Sequence, residues 1–312
     1  MSLSNLLSIQ DLDSKIIWQI LHTADEFKNP NGGKPKKVAA LNGKTVINLF
    51  FEDSTRTRIS FETAAKNLGA DLINFSAKGS SVSKGESLKD TAQTLKAIGG
   101  DIVVMRHWAS GAAARLANAN WIDASIVNAG DGTHEHPTQA LLDVYTIWKH
   151  FGDDFSKLKI GIVGDILHSR VARSNLLLLS KLGAQIYLIA PRTLLPMGFD
   201  KDHSTLPGVS VSYSLDAVLP ELDVIMELRI QQERMEGGFF PSATEFSNLY
   251  GLRKERLSKL KENAIILHPG PMNRGLEIDA TSADSEKSKV LEQVQNGVLV
   301  RMAVLFLIGT KS

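Results

Sequence analysis

Cysteine is absent from all 312 positions. That single absence removes disulfides, thiolate metal sites, iron–sulfur clusters and any cysteine nucleophile. An excess of one charge is lacking too: 35 basic residues meet 34 acidic ones, and no long basic run occurs. A reader of the nucleic-acid backbone is therefore not expected. The first fifteen residues (MSLSNLLSIQDLDSK) have neither a basic flank nor an uninterrupted apolar stretch, so no secretory signal is expected there. Long apolar runs are also missing; the segment from Val298 to Gly309 is short and interrupted by Arg301, which predicts a core helix rather than a membrane span. These absences predict a soluble, cytoplasmic protein without membrane attachment. At 43% hydrophobic and 22% charged, the composition is that of a globular protein, and the length suits two medium domains.

What the chain does contain is an alternation of short Val- and Ile-rich runs with helical patterns, the signature of parallel α/β structure. The spacing predicts strands at Thr45 to Phe51, Asp71 to Phe75, Asp101 to Met105, Ser125 to Asn128, Lys159 to Val163, Gln185 to Ile189, Val209 to Ser212, Asp223 to Glu227 and Ala264 to Leu267. Helices are predicted at Thr57 to Leu68, Ser87 to Ile98, Pro137 to His150 and Arg170 to Leu182. The polar break Gly152-Asp153-Asp154 precedes a second run of βαβ pattern, which places a domain boundary near residues 137 to 152.

Several polar turns fall where such strands end. After the first strand comes Glu52-Asp53-Ser54-Thr55-Arg56-Thr57-Arg58, leading into a helix. A helix N-terminus offers N–H groups and a favourable dipole to an anion, and hydroxyls and guanidinium groups add directional donors. A P-loop is excluded, because Gly43-Lys44-Thr45 would need glycine where Val38 stands. Ser80 to Glu86 forms a hydrophilic loop, and Met105-Arg106-His107 ends a strand, where ligands of open α/β sheets collect. The segment Asp131 to Gln139 contains His134-Glu135-His136, a spacing that two ligands of one metal ion could share. Pro137 suits a first helical position, which sets His136 and Gln139 beside open N–H groups, a placement that fits hydrogen-bond donors to a polarised oxygen better than metal ligands. In the second half, Gly161 and Gly164 lack the third glycine of the dinucleotide fingerprint. Arg170, Arg229, Gln231 and the turn His268-Pro269-Gly270-Pro271 complete the set. An inventory of cations without an evident carboxylate pair or nucleophile suits a site that binds anions and works by electrostatics. A metal-dependent hydrolase using His134 and His136, and a catalytically dead scaffold, are the rival classes.

In this order and at these separations, Ser54-Thr55-Arg56-Thr57-Arg58, Ser80 with Lys84-Gly85-Glu86, Met105-Arg106-His107, His136-Pro137-Thr138-Gln139, Arg229-Ile230-Gln231 and His268-Pro269-Gly270-Pro271 resemble the catalytic chains of the aspartate carbamoyltransferase family. The resemblance spans nearly the whole chain. It implies two α/β domains, each a parallel sheet flanked by helices: residues 1–137 for carbamoyl phosphate, an interdomain helix at 138–151, and residues 152–287 for L-aspartate. A C-terminal helix at 288–312 would return to the first domain. It further implies a homotrimer with shared active sites, no cofactor and no metal, and a place in de novo pyrimidine biosynthesis; a dihydroorotase or a regulatory chain is left open as a further partner. By the resemblance, Ser54, Thr55, Arg56, Thr57 and Arg106 would hold the phosphate. Thr57, Arg106 and His136 would polarise the carbamoyl carbonyl, and Gln139 with the carbonyls of Gly270 and Pro271 would hold its amino group. Ser80 and Lys84 would reach in from a neighbouring subunit, and Arg170, Arg229 and Gln231 would grip aspartate. Ornithine carbamoyltransferases share the first and fourth motifs but carry a cysteine after the late histidine, and ornithine's cationic end would be repelled by Arg229.

Overall fold

The computed structural model describes residues 3–76, 85–199, 206–230 and 242–310. The chain divides into two compact units, residues 1–142 with 294–312, and residues 143–293.

In the first unit, strands β1 (Thr45–Phe50), β2 (Asp71–Ser76), β3 (Ile102–His107) and β4 (Ser125–Asp131) form one parallel sheet in the order β2-β1-β3-β4. β1 is buried at every position after Thr45, as expected for a strand covered on both faces. Around the sheet lie α1 (Ser14–Glu26), α2 (Thr55–Asn67), α3 (Leu88–Ala97) and α4 (Ala112–Asn118). Ile47, Leu49, Val103, Met105 and Ile126 of the sheet pack with Ala92 and Leu95 of α3 and Ala112, Ala113 and Leu116 of α4. Asp13 caps α1 by accepting from the Ile16 N–H at 2.7 Å.

The second unit holds β5 (Lys159–Val163), β6 (Gln185–Ile189), β7 (Val209–Ser212), β8 (Val224–Glu227) and β9 (Ile265–Leu267), again all parallel, in the order β7-β6-β5-β8-β9. Helix α5 (Pro137–Phe151) leads into it, and α6 (Arg170–Lys181), α7 (Leu215–Val218), α8 (Ala243–Leu249), α9 (Lys254–Leu257) and α10 (Ala280–Ala283) accompany its strands. Gly164 follows β5 at φ +112°, and a side chain there would press on the Leu228 carbonyl oxygen, so the tight turn requires glycine.

All nine strands expected from the sequence are present, and the two sheets have the expected α/β character. β3 and β4 extend further than the apolar runs indicate, because Phe50 pairs with Arg106 and His107 with Asp131. The last helix, α11 (Val290–Gly309), lies within the 288–312 that the resemblance implies and begins well before the apolar segment from Val298, since Glu292, Gln293 and Gln295 are good helix formers. At 20 residues it is long and apolar enough to cross a membrane by length and composition, which the shorter expected segment was not. Its most apolar window is 61% buried, with Val300, Met302, Ala303, Val304 and Leu305 in the core of the first unit.

Candidate active site

Each sheet has one place where neighbouring strands send their connections in opposite directions, and at such a point a crevice opens beyond the carboxyl ends. In the first unit it lies between β1 and β3, in the second between β5 and β8. Arg56 and Arg106 fall at the first of these places, and Arg170 and Arg229 at the second.

At the first, Ser54 is the N-cap of α2, so Thr55, Arg56 and Thr57 supply the first three helical N–H groups. None of these has an acceptor within the helix, whose first bond runs from the Arg58 N–H to the Ser54 carbonyl. The Ser54 hydroxyl makes no cap hydrogen bond, unlike Ser87, which accepts from the Asp90 N–H at the start of α3. Thr57 is buried, Ser54 half-buried, and Thr55 and Arg56 are exposed. Arg106 stands next to this turn, because its strand pairs with β1 at Phe50. β4 carries one more residue than β3 between the pairs Met105–Asn128 and His107–Asp131. This bulge leaves the Ala129 carbonyl to accept from Arg106 Nη1 at 3.3 Å. Arg106 Nε lies 3.3 Å from Glu52 Oε2. His107 accepts the Ala109 N–H on Nδ1, and its ring sits between those of Phe51 and Trp108. Burial lowers its pKa, against the opposing pull of Glu52 and Asp131.

β4 delivers the next turn. Asp131, buried, accepts from the Gly111 N–H (2.6 Å), Asn128 Nδ2 (2.9 Å) and the Glu135 N–H (3.1 Å). His134 Nδ1 lies 3.1 Å from the same carboxylate. Glu135 in turn accepts from the Ser8 hydroxyl and the Ile9 N–H. These bonds fix the turn so that α5 opens at Pro137 with His136 just before it and Gln139 in its first turn, both side chains buried. His134 is thus engaged within its own turn, and among the described residues no group of three His, Asp or Glu side chains is arranged to hold a metal ion.

In the second unit, Asp165 accepts both the N–H and Nδ1 of His168, at 3.1 and 2.9 Å. Ser169 caps α6 through the Ala172 N–H, and Arg170, buried, is the first helical residue. Arg229, half-buried, follows β8, so Arg170 and Arg229 succeed two neighbouring strands. After β9, Gly270 is half-buried and Pro271 exposed, joined by a cis peptide bond. Ser80, Lys84 and Gln231 lie outside the described residues.

Two acidic groups carry no special mark in the sequence. Glu52 is an ordinary turn residue until its contact with Arg106 is seen. Glu227 ends the apolar run of β8, is fully buried, and neither of its oxygens bonds to a described residue. Burial, reinforced by the charge of Glu277, holds its carboxyl well above the usual carboxylate range.

Residues 4–149 match the carbamoyl-phosphate-binding domain of the aspartate/ornithine carbamoyltransferase family, and residues 156–308 its Asp/Orn-binding domain. A protein of Nocardioides sp. described as an aspartate carbamoyltransferase catalytic subunit is 59% identical over 308 residues, covering 97% of this chain and 94% of that one. The catalytic subunit of M. jannaschii aspartate transcarbamoylase superimposes with a TM-score of 0.82 at 36% identity, over 98% of each chain. The Trypanosoma cruzi aspartate transcarbamoylase, solved with carbamoyl phosphate and aspartate, gives a TM-score of 0.84 at 30% identity, over 98% of this chain and 96% of that one.

Proposed function

Because the chain belongs to the aspartate/ornithine carbamoyltransferase family, we propose that it transfers the carbamoyl group of carbamoyl phosphate to the amino group of L-aspartate. The products are N-carbamoyl-L-aspartate and phosphate, a step of de novo pyrimidine synthesis. The observation that carries this choice of acceptor is the pair of cations at the second crevice: Arg170 and Arg229 follow adjacent strands β5 and β8. A dicarboxylate amine needs such a pair, whereas the cationic end of ornithine would meet an uncompensated like charge there.

In this mechanism the α2 N-terminus, with Ser54, Thr55, Arg56, Thr57 and Arg106, holds the phosphate. Arg170, Arg229 and Gln231 hold the aspartate carboxylates, and Ser80 and Lys84 come from a neighbouring subunit of a homotrimer. The aspartate nitrogen attacks the carbamoyl carbon, forming a C–N bond and a tetrahedral oxyanion. Thr57, Arg106 and His136 stabilise that charge; one such donor contributes about 3 to 4 kcal/mol. Gln139 and the carbonyls of Gly270 and Pro271 hold the carbamoyl amino group. The C–O bond to phosphate then breaks as the leaving phosphate oxygen takes the amine proton, so that phosphate departs as the hydrogen phosphate dianion and no covalent enzyme intermediate forms. Holding both reactants in register contributes about 7 to 11 kcal/mol more.

The direct test is phosphate release from carbamoyl phosphate with L-aspartate, run beside L-ornithine. Turnover with aspartate alone is expected; turnover with ornithine alone would overturn the acceptor assignment. The shared site has its own test, in which inactive Lys84→Ala and Arg56→Ala chains are mixed. Partial recovery of activity is expected, and exchanged but inactive mixtures would reject it.

A further inference from the structure

The turn that offers the Gly270 and Pro271 carbonyls is held by a buried chain of hydrogen bonds reaching well beyond it. His268, at its start, is 1% exposed. Its backbone N–H donates to Gln293 Oε1 at 2.9 Å. Gln293 Nε2 donates to Asp143 Oδ1 at 2.7 Å, and the other Asp143 oxygen accepts from Asn175 Nδ2 at 2.8 Å. On its other side, the His268 ring accepts the Gly270 N–H on Nδ1 at 2.8 Å. That acceptance places the ring proton on Nε2, which faces Glu277 Oε1 at 3.1 Å. The same Glu277 oxygen accepts the Asn273 N–H. Asp143, Asn175, Gln293, His268 and Glu277 are all buried, and all belong to the second unit.

Direction runs through this chain without ambiguity. The His268 N–H can only donate, so Gln293 must present its oxygen there and its amide N–H₂ to Asp143. A buried amide locked at both ends has one orientation, and it fixes the peptide plane of His268. His268 then fixes the Gly270 N–H through its ring, so the Pro269–Gly270 peptide, directly before the first of the two carbonyls, is oriented by the residue that Gln293 holds. A polar network of this kind specifies geometry because every alternative leaves a buried group unbonded.

We propose that Asp143 and Gln293 are positioning residues for the reaction assigned above, setting the direction of the Gly270 and Pro271 carbonyls toward the carbamoyl amino group. The inference rests on that reaction. It predicts a selective defect, because inorganic phosphate has no amino group for those carbonyls to hold.

The test measures carbamoyl phosphate and inorganic phosphate binding by calorimetry for the parent chain, Gln293→Glu, Asp143→Asn and the double variant. Either single change leaves two like groups facing each other. The double change restores every bond, with donor and acceptor exchanged between positions 143 and 293 alone: the new carboxylate accepts from the His268 N–H and from the new amide, whose oxygen accepts from Asn175. Each single variant is expected to bind carbamoyl phosphate about tenfold more weakly with phosphate affinity unchanged, and the double variant to recover most of that loss. If Gln293→Glu does not fold, Gln293→Met, which adds no charge beside Asp143, takes its place for the single-variant comparison. Single variants that bind carbamoyl phosphate like the parent, that lose both ligands equally, or that the second change does not rescue would overturn the positioning role alone. A parent chain that binds no carbamoyl phosphate would reject the assigned reaction and this role together.

Discussion

Glu52 Oε2 lies 3.3 Å from Arg106 Nε, with both side chains largely shielded from solvent. An anion thus stands beside the cation that is proposed to receive phosphate. The pairing orients the guanidinium but also competes with the ligand for it. Glu52→Gln is therefore expected to tighten inorganic phosphate several-fold, because a nearby like charge is removed, while kcat falls because Arg106 loses its orientation. Unchanged phosphate affinity, measured by calorimetry at low salt, would show that the contact has no bearing on the ligand.

Arg229→Ala is expected to raise KM for L-aspartate and lower kcat/KM by about 10-fold to 150-fold, the equivalent of one charged hydrogen bond to a carboxylate. Carbamoyl phosphate affinity should stay within about twofold, since the residues proposed to hold its phosphate belong to the other unit. Equal weakening of both substrates would mean that Arg229 supports the fold instead.

Glu227 predicts an unusual dependence of stability on pH. Burial and the neighbouring Glu277 charge raise its carboxyl well above 4.5, so the folded chain keeps a proton that the unfolded chain releases. Below the unfolded value the group has no pH-dependent effect. From there up to the folded value, each pH unit removes up to about 1.4 kcal/mol of stability. Glu227→Gln keeps the shape without the ionisation, so its melting temperature should gain on the parent's by a margin that widens as the pH rises above the unfolded value. A constant margin would show that Glu227 does not titrate on unfolding.

Asp216 gives the opposite slope. It accepts from Arg256 at 2.6 Å and from Lys259 at 2.9 Å, and the Arg256 hydrogen bond, ahead of that from Lys259, lowers its pKa to about 2. A depressed carboxylate stabilises the fold fully above the unfolded value near 3.8 and ceases to do so as pH falls through about 2. Asp216→Asn should therefore melt below the parent at pH 6, and the gap should close between pH 4 and pH 2. A gap that persists at pH 2 would assign the loss to packing.

The strands were legible because a parallel strand buried on both faces has to be a largely apolar run, and TVINLF, the IVVM that opens β3 and KIGIV are such runs. The turns at Ser54 and at His136 were legible for a different reason: helix starts need particular residue types. α1 was not predicted, although its buried residues Ile17, Ile20, Leu21 and Ala24 follow helical spacing. α4 (AAARLAN) is short and has no polar face to mark its period. The least legible features were contacts distant in sequence. Gln293 meets the His268 N–H across 25 positions and Asp143 across 150, and local pattern contains nothing of either. Glu227 was read as the end of a strand, which it is, but its burial depends on what packs above it.

The core of the first unit is assembled from both ends of the chain. Residues 1–142 are completed by 294–312, and the seam is polar as well as apolar: Arg301, 4% exposed, donates to the Ser60 hydroxyl at 2.8 Å and lies over the Phe61 ring. Both partners sit on α2, the helix whose first turn is proposed to receive phosphate. During synthesis the N-terminal segment emerges first, yet it cannot close its core until the last helix leaves the ribosome. The second unit, continuous from 143 to 293, has no such wait. Ribosome-arrested chains with residues 1–293 exposed should therefore yield a protease-resistant second unit beside a still-cleavable first one, so that the segment made first matures last.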